Sequence, residues 1–337
     1  MLRLLLFIAV YLLSSTNVVY GQITDEELKN HEARKLHSYI GWRQMPLFMR
    51  VLPAPEILVD YLRKDNELNG YPQIPVSKKC DTFFMDDISG ALAELPEAIK
   101  RHISDHLVGI FTVSNIGTTG YTEIMDNFDV NRLGFIVLDL DYLKRSANDW
   151  ATWKENSPFR SQGSCRIKAT IEPKESDNRK QAIQFILTHE IGHLLGAVNQ
   201  VHPNWFNGGD PEQFAFTKIS WIKKENKVLS KFDPQFILRK DIGYYRFDKS
   251  PLSSDRILDC YRQLEGTDFS SLYAATNMWD DFAETFVIFV HNFMQKKPWK
   301  IEIFKNNSFL KTYNTSLMGD RGRVKKKFME DLFRDLN

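Results

Sequence analysis

Residues 179–198 read RKQAIQFILTHEIGHLLGAV, and the fold turns on this stretch. Ala182, Ile186, His189, Glu190, His193 and Ala197 recur at spacings of three and four, the period of one helix face. Ser176 or Asp177 can cap the start, and Gly196 is a natural place for the helix to end. His189 and His193 then stand one turn apart with Glu190 beside them. Two imidazoles at that spacing can grip one Zn²⁺, and the carboxylate between them can act as general base toward water activated by the ion. Without a metal, two histidines and a glutamate on an inward face would be costly polar burial.

Two imidazoles leave a tetrahedral zinc one protein ligand short, with water in the fourth place. A third His three residues past Gly196 would complete an extended motif, but that position is Asn199, and His202 lies three residues further on. The other source is a later helix. Residues 270–293 read SSLYAATNMWDDFAETFVIFVHNF, with Phe282, Phe286, Phe289 and Val290 as a core stripe and Asn277 as cap. A carboxylate within such an apolar run needs a partner. Glu284 is therefore the expected third ligand, ahead of His202. The plain alternative is that Asp280, Asp281 and Glu284 are an exposed acidic cluster favoured by the helix dipole.

The chain has 337 residues, 43% hydrophobic and 26% charged, which excludes a disordered chain and a small disulfide scaffold. Basic and acidic residues number 44 and 43, so nothing favours nucleic acid or an anionic membrane as partner. Arg3, the apolar run Leu4–Leu13, and Val19 and Gly21 read as a secretory signal peptide cut after Gly21. No later run is long and apolar enough to span a membrane, so a secreted or periplasmic chain is expected. Cys80, Cys165 and Cys260 form no close-spaced pair; they read as small buried residues with at most one bridge.

Three regions are expected: the signal peptide at 1–21, an N-terminal helical extension at 22–75, and the main domain at 76–337. Thr24-Asp25-Glu26-Glu27 is a capping box opening a helix to about Ser38, and Pro55–Leu68 is a second helix. Gly70, Pro72 and Pro75 break the chain. Asp87–Ile103 reads as one helix, Leu107–Val113 and Gly134–Leu140 as strands, and Gly117–Gly120 as a turn. Lys325-Lys326-Lys327 reads as the wet face of a terminal helix packed through Val324, Phe328, Leu332 and Phe333. Helix, strands, a long helix and a mostly helical remainder predict an α+β fold.

HEIGHLLG followed by YAATNMWDDFAETF resembles the gluzincin metallopeptidases, especially lethal factor-like and related zinc-binding families with an F-A-E-x-F helix. The resemblance covers about 189–291. It implies a zincin-like fold, a small mixed sheet with an edge strand over the HExxH helix, and one catalytic zinc. It maps His189, His193 and Glu284 to the metal and Glu190 to the general base. Some gluzincins carry an Asp four residues after the Glu ligand; here that position is Ile288, which leaves Asp280 or Asp281 as the partner of a zinc histidine. The resemblance further suggests Tyr273 as oxyanion stabiliser and the strand at Gly134–Leu140 as the edge that pairs with substrate. The expected function is a zinc-dependent metallopeptidase acting on a peptide or protein substrate. A zinc amidase or peptidase acting on cell-wall peptides, or a non-catalytic zinc-stabilised binding protein, are the alternatives.

Overall fold

The computed structural model describes residues 23–125, 132–206 and 208–336. The apolar run at 4–13 and the cleavage point after Gly21 lie outside the described residues. Among the described residues, no helix is long and apolar enough to cross a membrane.

The first half builds a five-stranded sheet from β1 (Val51–Pro53), β2 (Val76–Ser77), β3 (Leu107–Ser114), β4 (Gly120–Ile124) and β5 (Gly134–Asp139). The strand order is β1-β3-β5-β4, with β2 also pairing β3. Strands β1, β3 and β5 run parallel, and β4 is antiparallel to β5. Every residue of β3 and β5 is buried, as expected for central strands covered on both faces. The expected substrate edge at Gly134–Leu140 is therefore an inner strand. The margin beside it is β4, for which the sequence reading gave only the turn at Gly117–Gly120.

Helices cover both faces. Leu28 of α1 (Asp25–Lys29) and the apolar face of α2 (Glu56–Leu68) pack on Val108, Phe111, Phe135 and Val137. The Thr24 capping box forms as expected, but α1 then breaks into short 3₁₀ turns. On the other face lie α3 (Thr82–Ala93) and α4 (Glu97–Ser104). The single helix expected over 87–103 is split, because Pro96 precedes the first turn of α4 and restarts the chain. The sheet also crosses the boundary expected at 70–75, since β1 and β2 flank it and both pair with β3.

The second half contains α5 (Ala147–Asn156), β6 (Cys165–Thr170), α6 (Arg179–Val198), the hairpin β7 (Trp221–Lys224) and β8 (Lys227–Ser230), and α7 (Ile257–Leu264). It continues through α8 (Met278–Phe289), β9 (Lys300–Lys305), β10 (Ser308–Asn314) and α9 (Arg323–Leu336). It is less helical than expected, because β6, β9 and β10 form a second, antiparallel sheet. Asn178, rather than Ser176 or Asp177, caps α6 by accepting from the Gln181 N–H. Seventeen of the twenty α6 residues are buried, so it is a central helix rather than an amphipathic surface one. Helix α8 packs directly on it: a Cβ on Gly192 would stand 3.0 Å from Ala283 Cα. The three cysteines are free.

Candidate metal centre

Helix α6 supplies three of the site's side chains. His189 and His193 face each other with their Nε2 atoms 3.2 Å apart. Glu190 turns toward β4, where Thr122 Oγ1 donates to its Oε2 at 2.6 Å. Gly120 permits this approach, because a Cβ there would lie 2.6 Å from Glu190 Oε1.

Helix α8 supplies the carboxylates, and its Asn277 cap fixes the first turn. Asp280 Oδ1 lies 3.6 Å from His189 Nε2 and 3.4 Å from His193 Nε2. His189, His193 and Asp280 thus bring three donor atoms together in a group that can hold a metal ion. Glu284, the carboxylate expected there, sits on the far side of the first imidazole, with Oε1 3.1 Å from His189 Nδ1. Asn277 Nδ2 donates to Asp280 Oδ2 at 2.6 Å, which leaves Oδ1 to face the imidazoles.

The other candidates stand elsewhere. Asp281 is fully buried and accepts from Lys325 Nζ and Trp221 Nε1, away from the histidines. His202 is buried with Nδ1 3.0 Å from the Pro203 carbonyl, and burial lowers its pKa to about 4. Asn199 Nδ2 donates to Leu195 O at the end of α6. The Tyr273 ring stacks on the His189 imidazole, with centroids 5.5 Å apart.

The electrostatics suit a cation. Burial works against the charged imidazole of His189, but Asp280 and Glu284 outweigh it and raise its pKa to about 9. Burial likewise opposes ionisation of Asp280, yet His189 and His193 hold its carboxyl well below the usual range. Glu284 is also held down, to about 2: burial raises it, and Lys154 and His189 more than compensate. The negative charge beside the imidazoles is that of the Asp280 and Glu284 carboxylates, both kept ionised, and it favours a cation between the rings.

Sequence reading missed Lys154, which is 4% exposed and donates from Nζ to Glu284 Oε1 at 2.8 Å. Ser271 Oγ donates to the other oxygen at 2.6 Å. Lys154 also lies 4.3 Å from the Tyr273 ring centroid. A lone Lys on a polar helix carries no signal of this. His189, Glu190, His193, Asp280, Glu284, Lys154 and Tyr273 line a cleft of about 970 Å³ between β4 with the N-terminal layer on one side and the 242–249 segment on the other. Comparison of the chain with protein-family models, with characterised proteins and with solved structures yields no match.

Proposed function

We propose that this chain is a zinc-dependent peptidase in which His189, His193 and Asp280 hold the metal and Glu190 is the general base. One observation carries the reading: the donor triangle. Bonds of about 2.0–2.1 Å to a tetrahedral ion put neighbouring ligand atoms roughly 3.3–3.4 Å apart. The three separations here are 3.2, 3.4 and 3.6 Å. Two imidazoles and one carboxylate, with room left for a fourth position, are the donor set of hydrolytic zinc sites.

When bound, zinc would polarise a peptide carbonyl and acidify a water molecule. The remaining work belongs to the chain. Glu190 takes the proton at its carboxylate and passes it to the leaving amine nitrogen. Thr122 holds Glu190 in place for both transfers. Glu284, held by Lys154 and Ser271, orients the His189 ring through its Nδ1 side. Tyr273, stacked on that ring in the cleft, is the candidate donor to the oxyanion. The free margin of β4 beside Glu190 can take an extended peptide by backbone pairing.

The reading keeps the gluzincin likeness with the two acids exchanged: Asp280 takes the ligand place and Glu284 follows it four residues later. The N-terminal apolar run supports a secreted or periplasmic location. A base beside the metal donors favours catalysis over a purely structural metal site.

The purified chain is expected to carry about one zinc per molecule, because the described residues hold one such donor set. Glu190→Gln should keep that zinc and lose peptide hydrolysis. Elemental analysis showing no zinc after reconstitution, or a Glu190→Gln variant cleaving at the parent rate, defeats the assignment.

A further inference from the structure

We propose that the cleft accepts short peptides or a free chain end and excludes the middle of an extended chain, an inference resting on the peptidase reading above. The argument is the length of free edge on β4. Asp139 N–H donates to Thr119 O, and Met125 N–H donates to Leu133 O. These bonds fix the antiparallel alternation, so residues 119, 121, 123 and 125 pair with β5. The backbone groups of Gly120, Thr122 and Ile124 therefore point outward, to where a substrate strand would lie.

Both ends of that edge are closed. At the far end, Arg34 Nη2 donates to Ile124 O at 2.9 Å. Arg34 is 3% exposed, and its guanidinium lies 4.1 Å from the Phe206 ring centroid. At the near end, Tyr245 OH lies 3.3 Å from Thr119 Oγ1, joining the two walls of the cleft. Tyr245 is itself anchored, since its N–H donates to Ser157 Oγ at 2.8 Å and its ring packs on Trp153. It takes a left-handed backbone, φ 61°, which a tyrosine adopts only when its surroundings impose it.

The edge left between the bars pairs with about three substrate residues. Glu190 lies against Gly120, the outward residue next to the Tyr245 bar. The bond to be cut is therefore placed close to a closed end, and few residues can extend past it. A chain running on in both directions would have to displace Arg34 or Tyr245.

The test uses the zinc-loaded full chain and a ladder of peptides from about three to about fifteen residues around one central sequence, plus an unfolded protein. Products are read by mass spectrometry. Cuts are expected only within about three residues of an end, with kcat/KM for internal bonds at least about tenfold lower. Tyr245→Ala, which removes the near bar, should shrink that length discrimination. Internal cleavage by the parent within about threefold of its end cleavage overturns the proposal, as does an unchanged ratio in Tyr245→Ala. If no peptide is cleaved, the peptidase reading falls, and calorimetry on zinc-loaded Glu190→Gln decides the bounded cleft separately. Affinity that levels off by about six residues supports it; affinity that keeps rising with length overturns it.

Discussion

Asp280 and Glu284 are one helical turn apart on α8, and their roles are set by which ring nitrogen each meets. Both are buried, 9% and 1% exposed, so a preference for buried carboxylates could not separate them. The difference lies in their partners. Glu284 has a cation of its own in Lys154, 130 residues away in the chain, whereas Asp280 faces only the two imidazoles and its capping neighbours. Asp280→Ala should therefore lose zinc during dialysis against a weak chelator. Glu284→Gln keeps the volume and removes the charge behind His189, so its zinc affinity should fall by only about 10–100-fold. Zinc retention by Asp280→Ala together with loss in Glu284→Gln would restore Glu284 as the ligand.

At the level of elements, the C-terminal helix α9 is tied to α8 by charge. The basic run at 325–327 was expected to face water, yet Lys325 is fully buried. Its Nζ lies 2.6 Å and 2.8 Å from the two oxygens of Asp281, the neighbour of Asp280, and 3.0 Å from Asp268. Val324, expected in the core, is 59% exposed instead. Phe328, Leu332 and Phe333 pack on the core as expected, and only the first turn departs from the apolar reading: Lys325 goes inside in place of Val324 because the buried carboxylate of Asp281 needs a cation. Lys325→Met leaves Asp281 buried without its cation and should cost about 3–5 kcal/mol, read as a lower denaturant midpoint. A midpoint equal to the parent's would show that the pair contributes nothing to holding α8.

The whole molecule is held by a sheet that draws on both sides of the expected boundary near residue 75. Val51–Pro53 pairs with β3, and residues of α1 and α2 cover the sheet face carrying Phe111 and Phe135. The N-terminal region also supplies Arg34, which closes the far end of the cleft. A chain beginning at Val76 would expose that apolar face, so it should aggregate rather than fold. The chain should unfold in a single transition by calorimetry. Two separated transitions, or a well-folded chain starting at Val76, would mark the first 75 residues as an independent unit.

The sequence alone determined the parts that depend on neighbours in the chain. The i, i+4 histidines with Glu190, the strands over 107–113 and 134–140, the helix over 55–68 and the α+β character follow from local periodicity and capping, and each is present. Tertiary structure decided everything that depends on partners far apart in the chain. Which strand is the margin depends on sheet order, and β4 is too short and too polar to announce itself. Which acid reaches the imidazoles depends on how α8 crosses α6 at Gly192 and on where Lys154 lands. Which lysine goes inside depends on carboxylates 44 and more residues away. Periodicity reports which face of an element is apolar; it carries no information about which distant charge that face will meet.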